Sequence, residues 1–166
     1  LQIPCATVPG GGAGEFAAAP WLPDEGLIRV IPGPQDDHFS PAAMADLFSQ
    51  EYRVTPQSDR MGIRLDGKPL AHRAPAMADI VSDGVTPGVI QVPGNGQPII
   101  LLADCQTVGG YPKIATVISA DLPRLAQAKP GQPLRFVAVD LAQARAARED
   151  QALRWNHWVA GVHFDV

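Results

Sequence analysis

Short runs of apolar residues, separated by glycine or proline, recur along the chain from residue 27 onward. In the first run, 27–31, apolar and polar residues alternate before Pro32 and Gly33 end it. Such runs are typical of β-strands bounded by tight turns. Strands are predicted at 27–31, 52–54, 62–65, 89–92, 98–103, 114–119 and 134–139. Many short strands without regular crossover helices indicate a mainly β fold, a barrel or sandwich rather than a doubly wound parallel sheet.

Helix signals are fewer and lie between the strands or after the last of them. Ser40 precedes Pro41, so a hydroxyl can cap the first amides while proline occupies the first turn. Asp140 lies three residues before Gln143, which is the spacing of a capping box. We predict three helices, one at 41–49, a second between Asp121 and Pro130, and a third from Asp140 through Trp155.

Length and charge place narrow limits on the class of protein. The 166 residues, of which 18% are charged, have a formal net charge of -4. This length fits one ordinary domain, and the charge excludes a polybasic surface for nucleic acid. Residues 8–24 are crowded with glycine, alanine and proline, a composition typical of connectors. We therefore interpret residues 1–26 as a linker or the remnant of an upstream half, and 27–166 as the globular domain.

The pattern of cysteine, histidine and acidic residues predicts no metal site. Cys5 and Cys105 lie far apart, and none of the 4 histidines has zinc-ligand spacing. Asp36 and Asp37 precede a predicted helix, where adjacent acids cap the helix or oppose its dipole. Because no apolar run is long enough to span a membrane and no signal peptide is evident, we expect a cytoplasmic protein.

The densest polar cluster follows the strand predicted at 98–103. It includes Asp104, Gln106, Thr107, Gly109, Gly110, Tyr111 and Lys113. The two glycines let backbone amides approach a ligand closely, and the lysine would stabilise developing negative charge. Two interpretations stay open, a ligand-binding loop or a hairpin whose polar residues bond their own backbone. The Gly-Lys-Ser/Thr ending of a nucleotide loop is absent, so direct ATP binding is not expected.

A second polar cluster, 58–62, leads into the strand predicted at 62–65. Arg60 in this cluster would suit a two-pronged contact with a carboxylate, and an internal pair with a nearby acid is the competing interpretation. Cys105 has no histidine near it in the sequence, so we interpret it as a packed cysteine.

Five segments of the chain carry a specific resemblance to one protein family. They are Pro34–Phe39, Ser58–Leu65, Ser82–Pro93, Gly96–Ile99 and Gln106–Ala115. In these segments, which occur in the family's order, the chain resembles the allophanate hydrolase subunit 2 family. That family includes the C-type subunit of 5-oxoprolinase and the carboxyltransferase domain of urea carboxylase. The resemblance runs from about residue 27 to the terminal helix.

The resemblance implies a cyclophilin-like closed β-barrel with two or three short helices. Family members normally contain two related copies of this barrel, with the active cleft between the halves. This chain resembles the C-terminal copy alone, so the resemblance does not imply that the isolated chain is active.

The function implied by the resemblance is that of a subunit or domain of an ATP-dependent amide-processing enzyme. The implied partners are the N-terminal half of the same protein, a protein like allophanate hydrolase subunit 1, and a small amide substrate. Partner subunits would supply ATP, and biotin where it is used, so no cofactor is expected on this chain. We assign catalytic roles to Gln106, Lys113 and Arg60, and substrate-binding roles to Gln91, Asp104, Thr107, Gly109, Gly110 and Tyr111.

The same broad family implies one alternative function. Some members are regulatory binding proteins that antagonise an inhibitor of a sensor kinase, which requires surface complementarity but no catalytic cleft. Cys105 also departs from the family, since arginine often precedes the Gln-Thr pair that is Gln106 and Thr107 here. The substrate preference therefore stays open.

Overall fold

Seven of the nine strands in the described part of the chain close into a barrel. The computed structural model describes residues 27–160, with side chains as far as 157. Residues 1–26, which hold the predicted linker, and 161–166 lie outside the described residues. The strands are β1 (Leu27–Pro32), β2 (Tyr52–Val54), β3 (Gly62–Asp66), β4 (Asp83–Gly84), β5 (Val89–Gln91), β6 (Ile99–Leu101), β7 (Val108–Gly109), β8 (Lys113–Val117) and β9 (Pro133–Ala138). The predicted closed β-barrel is confirmed.

The barrel strands follow the order β1-β8-β5-β6-β3-β2-β9, and β9 pairs with β1 to close it. The closing pair, β1 with β9, is parallel, and the other barrel pairs are antiparallel. All seven predicted strands are observed, with ends that differ by about two residues or fewer. The sequence pattern does not predict β4 and β7, because strands of two residues are too short to show alternation.

Apolar side chains from all seven barrel strands fill the interior. In β1 the buried residues Ile28 and Val30 alternate with Leu27, which is 46% exposed, as expected for a strand with one face on the core. Helix α1 (Pro41–Ser49) adds Ala43 and Leu47, which lie four residues apart and so share one helix face. Burial of this single cluster is the main stabilising contribution to the barrel.

Three α-helices are present among the described residues. Ser40 Oγ accepts a hydrogen bond from the Ala43 N–H at 3.1 Å, which confirms the predicted cap of α1. The predicted capping box at α3 (Leu141–Ala160) is also observed, since Asp140 and Gln143 each accept the other's backbone N–H, at 2.7 and 2.9 Å. Helix α2 (Leu122–Leu125) is a single turn, and short 3-10 turns lie at 36–38, 75–77 and 119–121.

Asp121, directly before α2, ties this helix to β1. Its carboxylate is fully buried and accepts from the backbone N–H of Arg29 at 2.7 Å. The Arg29 guanidinium donates to both carboxylate oxygens, with Nε at 3.1 Å and Nη2 at 2.7 Å. A two-pronged contact of this kind fixes orientation as well as position. The Asp121 side chain therefore joins two distant parts of the chain and does not cap α2.

Replacing Ser40 with alanine should lower the free energy of unfolding by about 1 kcal/mol, because the Ala43 N–H loses its acceptor. Urea denaturation measures the change. Ser49→Ala, at the exposed other end of the same helix, is the matched control and should stay within about 0.5 kcal/mol of the parent. Equal effects of the two substitutions would show that the cap contributes nothing specific.

The helices of the described region include none that is both long enough and apolar enough to cross a membrane.

Candidate functional site

A two-stranded ribbon formed by β4 and β7 lies over the outer wall of the barrel. Asp83 pairs with Gly109 and Gly84 with Val108. Beyond the ribbon, the Val85 N–H donates to the Thr107 carbonyl oxygen at 3.0 Å. Beneath it is a small apolar cluster separate from the barrel core, made of Val85, Val89, Leu101, Ile99 and Cys105. The packing of Cys105 in this cluster agrees with its interpretation as a packed cysteine.

Gln91 and Lys113 form a buried polar floor under the ribbon. They pair with each other across β5 and β8, and their exposed fractions are 2% and 5%. Gln91 Nε2 donates to the Tyr111 carbonyl oxygen at 3.2 Å, which fastens the loop after β7 to the barrel. A Cβ on Gly109 would lie 2.5 Å from Gln91 Nε2, so only glycine fits there.

The Lys113 ammonium reaches from the floor to the ribbon. Nζ forms an ion pair with Asp83 Oδ2 and lies 3.3 Å from the Gly84 carbonyl oxygen. The lysine side chain is 6% exposed, whereas that of Asp83 is 59% exposed. Hydrogen bonding from the Lys113 ammonium, followed by that from the Gly84 N–H, lowers the pKa of Asp83 below its ordinary value. The pair therefore presents an ionised carboxylate to solvent above a buried positive charge.

Two consecutive backbone donors lie at the end of this ribbon. Neither the Gly110 N–H nor the Tyr111 N–H donates to another described residue. The Gly110 carbonyl oxygen accepts from the Ile80 N–H at 2.8 Å, which holds the loop in place. Successive unpaired N–H groups beside a cation can bind an anionic or carbonyl oxygen. The arrangement therefore offers an acceptor at Asp83 and donors at Gly110 and Tyr111.

Asp83 is expected to titrate below its ordinary pKa of 3.8. Because the folded-state pKa is lowered, this ion pair stabilises the fold fully above pH 3.8, and the contribution disappears as the pH falls through the folded-state value. NMR titration of the Asp83 carboxyl carbon measures the pKa directly. Lys113→Met should return it toward 3.8, and an unshifted pKa in the parent protein would contradict the ion pair.

Arg60 and Asp104 lie away from this group. Arg60 Nε pairs with Asp104 Oδ2 at 2.9 Å, and the two side chains are 87% and 44% exposed. Of the two interpretations of Arg60, the internal pair with an acid is the one observed. Gly62, just after Arg60, pairs with Leu101 at the last position of β6.

The Lys113 group lies at the other end of β6. Lys113 pairs with Gln91, and Gln91 pairs with Ile99, the first residue of β6. The predicted site residues therefore divide into two groups, with Gln91, Gly109, Gly110, Tyr111 and Lys113 at one end. Gln106 and Thr107 lie on the exposed segment that joins the two ends, and their side chains form no hydrogen bond with any described residue.

An open cavity of about 660 Å³ lies beside the Arg60–Asp104 pair. Its wall is largely apolar and includes Ile63, Leu102 and Leu125. Asp59, also on the wall, accepts from the backbone N–H groups of Met61 and Gly62 and so serves the local turn. No group of three or more metal-ligating side chains occurs in this cavity or elsewhere among the described residues.

Asp83 is the site residue that the sequence assignment lacks. It lies in the segment Ser82–Pro93, which carries the family resemblance, but isolated acids before a strand are common. Its partner Lys113 is distant in sequence, at a separation of 30 residues. An Asp-Gly pair directly before a buried strand was the available signal.

Comparison with known proteins connects this geometry to one family. Residues 6–138 match the family described as carboxyltransferase domain, subdomain A and B. The chain is 45% identical over 124 residues to the C-type subunit of 5-oxoprolinase from Escherichia coli strain K12, covering 75% of this chain and 39% of that protein. It is 31% identical over 136 residues to urea amidolyase of Saccharomyces cerevisiae, covering 76% of this chain and 7% of that protein.

A solved structure gives the same connection. The crystal structure of urea amidolyase from K. lactis superposes with a TM-score of 0.72 at 26% identity, covering 76% of this chain and 8% of that chain. The chain spans about two fifths of the length of the two 5-oxoprolinase relatives that it matches, which have 39% and 42% of their length covered. The chain therefore belongs to the family of the carboxyltransferase domain, subdomain A and B.

Proposed function

We propose that this domain forms half of the substrate cleft of an ATP-dependent amide-processing enzyme, of the 5-oxoprolinase or the allophanate hydrolase and urea carboxylase type. The observation that carries the proposal is the exposed carboxylate of Asp83, held by the buried ammonium of Lys113 next to two unpaired backbone donors. An amide needs both an acceptor for its N–H and donors for its carbonyl oxygen, and this group provides both. The 45% identity to a 5-oxoprolinase subunit supports the substrate class.

In the proposed complex the amide lies over the ribbon. Its N–H donates to Asp83, and its carbonyl oxygen accepts from the N–H groups of Gly110 and Tyr111. Negative charge that develops on this oxygen is stabilised by donors that are already in place, so little reorganisation is needed. Lys113 acts through Asp83, which it holds ionised and oriented, and Gln91 keeps the ribbon on the barrel.

Gln106 and Thr107 continue the ribbon segment with exposed side chains, and in the proposal they contact the rest of the substrate. Arg60 and Asp104 have no contact with the Lys113 group, so the proposal leaves them outside the amide-binding part of the cleft. The N-terminal half of the protein supplies the other wall. ATP, and biotin where it is used, come from partner subunits, one of them like allophanate hydrolase subunit 1. The enzyme would be a cytoplasmic bacterial hydrolase.

The test is ATP-dependent turnover by the complete enzyme, reconstituted from the full-length protein and its partner subunits. Turnover of 5-oxoproline would assign lactam opening, and biotin-dependent carboxylation of urea would assign carboxyl transfer. Both results support an amide-processing enzyme and distinguish its type. No turnover of either amide, in a complex whose assembly is verified by light scattering, would contradict the proposal.

A further inference from the structure

The side chain of Gln35 contacts the backbone of Lys113 at the start of β8. Gln35 Oε1 accepts a hydrogen bond from the Lys113 N–H at 3.1 Å, and the Gln35 N–H approaches the Lys113 carbonyl oxygen at 3.4 Å. The neighbouring Gly33 N–H donates to the Ile114 carbonyl oxygen at 2.8 Å. Residues 33–35 therefore continue the edge of β1 along β8, with a side-chain oxygen where a strand would offer a backbone oxygen.

Lys113 needs this external acceptor because the regular strand pairing ends around it. On one side, the pairing of β1 with β8 ends at Pro32 opposite Ala115. On the other side, the register of β5 against β8 shifts between Ile90 and Gln91, directly opposite Lys113. Such irregularities interrupt the ladder and leave backbone groups without strand partners. Gln35 supplies the acceptor for the N–H of this nearly buried residue.

We propose that Gln35 is a positioning residue for Lys113, holding the start of β8 where the ammonium reaches Asp83. This inference rests on the proposed function of the Lys113 group. It gives the segment Pro34–Phe39, which carries part of the family resemblance, a role at the site. The close approach also requires Gly33, since a Cβ there would lie 2.1 Å from the Lys113 carbonyl oxygen.

The positioning acts from the side of the floor that faces away from the ribbon. Gln91, Gly109 and Asp83 contact the side chain of Lys113 or its surroundings from above, whereas Gln35 holds only its backbone. Gln35 Nε2 donates to no described residue, so the acceptor oxygen is the part of the side chain that the structure uses. A substitution that keeps length and removes this oxygen therefore isolates the effect.

The experiment compares Gln35→Met with Gln132→Met in this chain. Gln132 Oε1 accepts from the Lys129 N–H at 3.1 Å, so the control removes the same kind of bond far from the site. Two quantities are measured by NMR, hydrogen exchange of the Lys113 amide and the pKa of Asp83. For Gln35→Met we expect amide exchange to be about tenfold faster or more, and the pKa of Asp83 to rise toward 3.8. Gln132→Met should change neither quantity.

A third variant, Gln35→Glu, retains an acceptor oxygen and should keep the Lys113 amide protected. An unchanged pKa of Asp83 in Gln35→Met would overturn the inference, whether or not the amide exchanges faster. If the pKa rises but the complete enzyme with Gln35→Met keeps full turnover, the positioning stands and the proposed function of the Lys113 group fails.

Discussion

Asp121→Ala is expected to lower the free energy of unfolding by about 3 kcal/mol, the largest stability effect of any single substitution considered for this protein. The carboxylate is fully buried and accepts three hydrogen bonds from Arg29, one from its backbone and two from its guanidinium. Removing it leaves those donors without their acceptor. The Arg29 side chain is 35% exposed and can regain water, which keeps the expected loss at the lower end for a broken buried pair.

Arg29→Ala should cost at least as much, because it leaves a carboxylate with no exposure and without its charged partner. Urea denaturation of both variants gives the comparison. Asp150→Ala, which removes an exposed ion pair to Arg154 one helical turn away, is the control and should change the free energy of unfolding by about 0.5 kcal/mol or less. If Asp121→Ala behaves like this control, the joint between β1 and α2 is not a stabilising element.

Lys113→Met is expected to reduce kcat of the complete enzyme by about tenfold or more, with the fold retained. Methionine has a similar length and fills the nearly buried space, while Asp83 is 59% exposed and remains hydrated without its partner. The loss should therefore appear in turnover, because Asp83 is no longer held ionised and oriented above the floor.

Lys68→Met is the matched control for this substitution. Lys68 also pairs with an aspartate, Asp46, at 2.7 Å, but it is 67% exposed and lies outside the site. Its turnover should stay within about twofold of the parent. Thermal unfolding of both variants separates a loss of chemistry from a loss of fold, and unchanged kcat in a folded Lys113→Met enzyme would remove the lysine from the mechanism.

The barrel was predictable because its signals are local. Each wall strand is an apolar run ended by glycine or proline, and the caps at Ser40 and Asp140 depend on residues three positions apart. Closure of the barrel depends on β1 and β9, which are far apart in the sequence and pair in parallel. No local pattern carries that information, and the resemblance to a family supplied it.

The candidate site was predictable in its loop but not in its partners. The run from Gly109 to Lys113 was identified because glycines and a lysine follow a buried strand. Asp83 and Gln35 reach Lys113 across separations of 30 and 78 residues, and neither is marked by a local pattern. The expectation that Arg60 joins Lys113 depended on adjacency in the family's motifs, whereas strand register places them at opposite ends of β6.

The location of the amide-binding group is tested most directly by kcat of the complete enzyme with Asp83→Asn and with Asp104→Asn. Both substitutions remove one carboxylate charge from a partly exposed aspartate that is paired with a cation, at opposite ends of β6. We predict that Asp83→Asn lowers kcat by about tenfold or more, and that Asp104→Asn leaves it within about twofold. Loss of turnover in Asp104→Asn with full turnover in Asp83→Asn would contradict the account and place the site at the Arg60 cavity.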